Sequence, residues 1–302
     1  MTVEFQKQIL LFLAGTHSDF QNGLAQFLTM FGEEILLVAI AVFIYWNINK
    51  KNGFVICMSL MSALSVTGIA KAIVRFPRPW HIIQDLDVIR MHTATGYSFP
   101  SGHTTSASSA FTGIAMTFKK RWLSIVCALI IILVGLSRVY LCVHWPTDVI
   151  GGLIIGCGTT FLLSGVFASL YDDKDRAIRV SIIIGCIAAV AAFALALVIF
   201  LDAETHDAFS DLSSTFAIFS GMTFGVALER KHFDFEIKEG QWGKKILRFV
   251  IGLIVALAIT SGLKILFTKM GIANSLTRAL RYILFGFWGG IYPLVGKKLG
   301  LF

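Results

Sequence analysis

The sequence predicts an all-α, polytopic transmembrane helix bundle. Of 302 residues, 56% are hydrophobic and only 15% are charged, and mean hydropathy is +0.77. Nine stretches also approach the roughly 20 apolar residues that a helix needs to cross a bilayer. A soluble fold would have to spread apolar surface over much of its exterior. The same composition excludes disorder, collagen-like repeats and a disulfide scaffold. The net charge of +8 does not indicate a nucleic-acid partner, because the basic residues sit in short clusters between apolar runs with no basic face. The five cysteines lie in or beside apolar runs without C-x-x-C or His/Cys metal spacing, so they read as small buried residues.

Residues 1–29 open with a very short apolar stretch and no small-residue cleavage site, which predicts no cleaved signal. Their weak amphipathicity places them at the membrane interface. The nine spans follow at 30–48, 53–75, 103–118, 122–143, 147–170, 178–201, 208–229, 247–268 and 277–296. The third, HTTSASSAFTGIAMTF, is short and rich in Ser and Thr, so it belongs inside the bundle, where hydroxyls find partners. Trp80 and Trp145 read as members of the aromatic belt.

Lys and Arg near helix ends are retained in the cytoplasm. With the 47–52 loop inside, sixteen of the 26 basic residues fall on that side, including Lys50, Lys119 to Arg121, Lys174, Arg230, Lys238, Arg248 and Lys297. The acidic loop LDAETHDAFSD then faces outward, as do three stretches dense in polar residues: KAIVRFPRPW (71–80), SFPSGHTT (98–105) and SRVYLCVHWPTD (137–148).

Polar clusters at membrane ends are functional candidates by default. These three hold the cations Lys71, Arg78 and Arg138, the histidines His103 and His144, and the carboxylate Asp148. Phosphoryl transfer spreads negative charge over equatorial oxygens, so its catalysis consists largely of positioned cations and hydrogen-bond donors. Arg contributes a planar fork and Lys a point charge. Pro100-Ser101-Gly102-His103 sits where a helix begins, so its backbone N–H groups are available to an anion. His144 and Asp148, four apart, share a face if the chain stays helical through Pro146. A carboxylate on one imidazole nitrogen fixes the tautomer and leaves the other nitrogen free to attack.

Lys71-x6-Arg78-Pro79, Pro100-Ser101-Gly102-His103 and Ser137-Arg138-x5-His144-x3-Asp148 together resemble the three signature motifs of the type 2 phosphatidic acid phosphatase (PAP2) superfamily, in order and with intact spacing. The resemblance implies His144 as nucleophile through a phosphohistidine, Asp148 as its orienting partner and His103 as general acid. It implies Lys71, Arg78 and Arg138 as phosphate ligands, with Ser101 and Gly102 completing the cradle. It also implies no metal and no cofactor, a six-helix catalytic core over 30–201, and a three-helix C-terminal extension over 202–302. The nine-helix layout is similar to the glucose-6-phosphatase branch. The expected substrate is a membrane lipid: isoprenyl (undecaprenyl-type) pyrophosphate, phosphatidic acid or phosphatidylglycerol phosphate, in a bacterial cell membrane with the site outside. The motifs fit a phosphotransferase equally well. A sugar phosphatase would share the layout, and a lipid or anion transporter would need inverted repeats, of which no convincing example is found.

Overall fold

The apolar runs become helices at nearly the residues that the pattern marks. The computed structural model describes residues 2–91, 94–237 and 242–302, with eleven α-helices and no strand among them. Helices α1 (Val3–Ala14) and α2 (Asp19–Met30) precede α3 (Glu34–Asn47), α4 (Lys50–Val74), α5 (Gly102–Phe118), α6 (Arg121–Tyr140), α7 (Pro146–Asp172), α8 (Lys174–Leu201), α9 (His206–His232), α10 (Trp242–Lys269) and α11 (Ser275–Lys298). The last nine correspond one for one to the predicted spans. Six of them (α4, α6, α7, α8, α9 and α10) are long and apolar enough to cross a membrane, and α2 with α3 would make a seventh, bent by 44°. Of the other predicted spans, α5 has 17 residues and α11 has two arginines in its first half and two lysines at its end. Lys238 lies outside the described residues.

The bend between α2 and α3 corrects the predicted continuous span at 30–48. Gly32 sits at the break, where a Cβ would come within 2.8 Å of both the His103 carbonyl oxygen and Val134 Cγ1. Only a glycine lets this turn lie so close to the start of α5.

The chain forms two compact units, whose boundaries fall inside α3, α4 and α7. The first, Met1–Val38 with Ser62–Gly165, is organised around α5. Every residue of α5 from Thr104 to Ile114 is buried, as its composition predicts. Its hydroxyls bond to α7: Ser108 Oγ donates to the Gly152 carbonyl at 3.2 Å, and Ser109 Oγ pairs with Thr160 Oγ1 at 2.8 Å. Gly152 and Gly156 allow this approach, since a Cβ on Gly156 would stand 1.9 Å from Ser108 Oγ. Small residues four apart are the usual solution for close helices in lipid. Leu10 of α1 packs with Trp145, Ile83 and Val149 in an apolar cluster. Trp145 is therefore core and not aromatic belt, its indole N–H donating to the Pro77 carbonyl at 3.0 Å.

The second unit comprises Ala39–Met61 and Val166–Phe302. Helices α9 and α11 meet through Gly221, Gly225, Gly286 and Gly290, two G-x-x-x-G pairs face to face. A Cβ on Gly221 or Gly286 would fall 1.9 or 2.1 Å from a carbonyl oxygen of the other helix. Three of the basic residues counted as cytoplasmic loop charge prove to be packed. Lys50 Nζ lies 2.9 Å from the buried Glu229 and 2.8 Å from Asp234, Arg230 donates to the Tyr171 carbonyl, and Arg248 donates to the Trp46 carbonyl. Charge at such depth needs partners, and these supply them.

Candidate active site

Lys71 occupies the last turn of α4. Beyond it the chain leaves the helix, with Arg75 at φ 49°, and reaches Arg78, which is buried. Its guanidinium is held on carbonyls from two loops: Nε donates to Gly96 at 3.0 Å, Nη1 to Val143 at 3.0 Å and Nη2 to Thr95. Nη1 also lies 3.1 Å from His144 Nε2.

Ser101 is the N-cap of α5. Its hydroxyl accepts from Thr104 Oγ1 at 2.9 Å and from the Thr104 N–H at 3.4 Å, while its own N–H donates to the Asp148 carbonyl at 3.0 Å. Ser101 thus ties the helix start to the third motif. The first N–H groups of a helix lack intrahelical acceptors, and with Thr104 capped, those of Gly102 and His103 are the donors that this turn presents. A Cβ on Gly102 would meet nothing within 4 Å, so there is open space in front of it. His103 Nε2 is buried without a hydrogen-bond partner among the described residues.

Arg138, in the last turn of α6, is fully buried. Its Nη1 donates to Thr29 Oγ1 at 2.9 Å, whereas Nε and Nη2 have no partner among the described residues. His144 follows in the turn before α7 and is 2% exposed. Its Nδ1 lies 3.2 Å from Asp148 Oδ2. The pair does not share a helical face. Pro146 starts α7, so Trp145 takes the cap position and Asp148 the third, from which Oδ2 accepts the Trp145 N–H at 2.8 Å. Proline favours the first helical position, and an acidic side chain three residues past the cap reaches back to it. The contact is a product of capping geometry.

A guanidinium only donates, so the Arg78 contact requires an acceptor at His144 Nε2. The imidazole proton then sits on Nδ1 and points at Asp148. Burial holds the His144 pKa well below the usual 6.5, and Arg78, Arg138, Lys71 and His103 push it the same way. The result is a neutral imidazole beside three cations. All eight residues singled out in the three motifs belong to the first unit.

Two neighbours were not evident from sequence. Ser98 Oγ donates to Asp148 Oδ2 at 2.5 Å, completing three donors on one carboxylate oxygen. Ser98 stands inside the second motif stretch, but spacing attaches no role to it. Thr29 reaches Arg138 from α2, 109 residues away in the chain, and no local signal marks it. Nearby, Arg90 bridges the Gln26 carbonyl and the Glu33 carboxylate.

Residues 52–172 match the PAP2 superfamily, and residues 213–302 match the PAP2 superfamily phosphatase transmembrane extension. An undecaprenyl-diphosphatase of Sulfolobus acidocaldarius is 31% identical over 142 residues, 47% of this chain and 68% of that protein. Phosphatidylglycerophosphatase B of Bacillus subtilis is 36% identical over 94 residues, 28% of this chain and 44% of that one. Among solved structures, the first transmembrane PAP2 type phosphatidylglycerolphosphate phosphatase from Bacillus subtilis is similar with a TM-score of 0.48 and 24% identity, over 54% of this chain and 84% of that one.

Proposed function

Because the chain belongs to the PAP2 superfamily and is an integral membrane lipid phosphatase, we propose that it transfers the phosphoryl group of a lipid phosphate or pyrophosphate to His144 and then to water. The observation that carries this reading is the line Arg78, His144, Asp148, with the tautomer set from both sides. An arriving phosphoryl oxygen takes over Arg78 Nη1 from the imidazole, which frees the Nε2 lone pair at the moment that the phosphorus is in reach. Arg138 Nε and Nη2, Lys71 and the N–H groups of Gly102 and His103 supply the remaining donors for the equatorial oxygens.

In the first step Nε2 forms a bond to phosphorus and the bond from phosphorus to the leaving oxygen breaks. His103, entering the step as imidazolium, gives that oxygen its proton, so a lipid alcohol departs neutral and a lipid monophosphate departs with one negative charge fewer. In the second step His103 takes a proton from water, the water oxygen bonds to phosphorus, the P–N bond breaks and inorganic phosphate leaves. Asp148 stabilises the imidazolium character that develops on His144.

The substrates supported best are an isoprenyl pyrophosphate first, then phosphatidic acid and phosphatidylglycerol phosphate, the first and third in keeping with the names of the relatives. We assign the chemistry to a core at 30–201, the role of appended extension to 202–302, and the outer membrane side to the site. The test is phosphate release by the purified protein from these three lipids and glucose 6-phosphate, each with strong chelator and with vanadate. Release from an isoprenyl pyrophosphate that survives chelation and is inhibited by vanadate is expected. Turnover that disappears in chelator and returns only with a divalent metal overturns the mechanism, and turnover confined to glucose 6-phosphate overturns the substrate class.

A further inference from the structure

A second concentration of cations lies in the second unit, at the ends of α8 and α10 and the starts of α9 and α11. There a cavity of about 400 Å³ is lined by Lys264 of α10, Arg278 and Arg281 of α11 and His206 of α9, with Phe200 and Phe267 on its apolar wall. No carboxylate is among the described residues that line it. We propose that this cavity binds an amphiphile with a net-anionic phosphate headgroup, the headgroup on Lys264, Arg278 and Arg281 and the adjoining chain against the two phenylalanines.

Each feature bears on the choice of ligand. The volume falls in the range of small-molecule pockets, roughly 300–1,000 Å³, and admits a headgroup with the first part of a chain. Basic side chains from two helices, converging on one concavity with no carboxylate in its wall, create a positive potential that an anion relieves. A lone cation at a helix end is ordinarily explained by snorkelling to water, and Lys264 read by itself fits that account. The arginines do not. Arg278 Nη1 donates to Ser210 Oγ, and both guanidinium groups are held near the Tyr282 ring, with their central carbons 5.7 and 5.2 Å from its centroid. Arg281 Nε is buried and has no hydrogen-bond partner among the described residues. A buried donor of a charged group without a partner is costly, and a phosphate oxygen would satisfy it with a charge-assisted bond. The mixed lining selects an amphiphile over a fully polar anion. This site shares no residue with the motif cluster and does not depend on the phosphohistidine reading.

The experiment uses the full chain in mild detergent, with phosphatidylglycerol, phosphatidylcholine and inorganic phosphate as probes and native mass spectrometry to count bound lipid. The wild type is expected to retain phosphatidylglycerol in preference to phosphatidylcholine. Lys264→Gln with Arg281→Gln should lower that retention by roughly tenfold or more, since each basic residue near a membrane surface adds about a fivefold factor toward anionic lipid. Lys264→Gln alone, a change at an exposed side chain, should lower it by about fivefold and covers the case in which the double variant fails to fold. Excess inorganic phosphate should leave the lipid in place. Displacement by inorganic phosphate would mean that the anion is free phosphate, overturning the amphiphile. Equal retention of the two lipids by the wild type, or unchanged retention in Lys264→Gln, would overturn the site.

Discussion

At His144 each ring nitrogen faces a neighbour with a fixed role: a guanidinium that only donates on one side, and on the other a carboxylate already committed to Ser98 and Trp145. The imidazole is therefore held in one orientation, which in the proposed mechanism removes that reorganisation from the barrier. His103 is assigned the proton, and the leaving group tests the assignment. Loss of a general acid matters for a poor alkoxide leaving group and much less for a nitrophenolate, because the latter departs without a proton. With His144 as the proposed nucleophile, His144→Ala should be nearly inactive on both kinds of ester, since a missing nucleophile stays missing. His103→Ala should lose roughly 100- to 10,000-fold on the lipid substrate and far less on the activated ester. Steady-state rates on the two substrates decide it: equal relief in both variants, or relief only in His144→Ala, would overturn the assigned roles. The pH profile is a separate test. An imidazole whose pKa is lowered by burial and by Arg78, Arg138 and Lys71 stays unprotonated, and so nucleophilic, as pH falls through 6.5. The acid limb of kcat/KM, corrected for substrate ionisation, should lie below that value. Arg78→Gln removes one of the cations that disfavour the protonated ring, so the limb should move to higher pH even though the absolute rate falls.

Helices in this chain approach one another by glycine and hydroxyl contact, because lipid offers no hydrophobic drive for helix against helix. In the first unit the α5–α7 contact through Gly152 and Gly156 carries Ser101 to the Asp148 carbonyl, so packing of two elements sets the distance between two motifs. The bent α2–α3 pair adds a third wall, where Gly32 lies against His103 and Thr29 holds Arg138. In the second unit Gly286 lies where any Cβ would stand 2.1 Å from the Ile218 carbonyl oxygen. Gly286→Leu must push two backbones apart, which a flexible side chain cannot absorb. Overpacking in a tight interior costs about 1–3 kcal/mol, and a backbone contact should put this substitution at or above the upper end. A clearly lowered thermal midpoint of the purified protein is expected. Gly289→Leu, at a position where a Cβ meets nothing, should leave the midpoint nearly unchanged, and equal effects would refute the packing account.

For the whole molecule, orientation is tested by single cysteines in a background without the native five. Lys120 and Lys231 are exposed and assigned to the cytoplasm, and Asp202 and Glu204 are exposed and assigned to the outside. A membrane-impermeant thiol reagent on intact cells should label Cys at 202 or 204 and spare 120 and 231 until the membrane is opened. Labelling of 120 or 231 from outside would invert the topology and the side of the site. The test carries weight because Lys50, Arg230 and Arg248, counted as loop charge, are packed inside the second unit, so the charge bias rests on fewer exposed residues than composition suggests.

The helices were legible in the sequence because each one satisfies its own backbone, and in lipid that requirement alone dictates an apolar run of sufficient length. The three motifs were legible because each is a short run of particular side chains whose local spacing the sequence displays, and the family they resemble is the one to which the chain belongs. The means by which those side chains meet was not local. Asp148 reaches His144 through a cap that starts at Pro146, and Ser98 fixes the same carboxylate from another loop. Thr29 holds Arg138 from a helix pair whose bend depends on one glycine pressed against α5. The second cation cavity was equally hidden, for Lys264, Arg278 and Arg281 are ordinary helix-end charges until tertiary packing gathers them. Periodicity and motif depend on neighbours in the chain, so sequence alone determined a membrane helix bundle and a phosphate chemistry. Hydrogen-bond direction, burial and convergence depend on neighbours in space, and only the tertiary structure decided them.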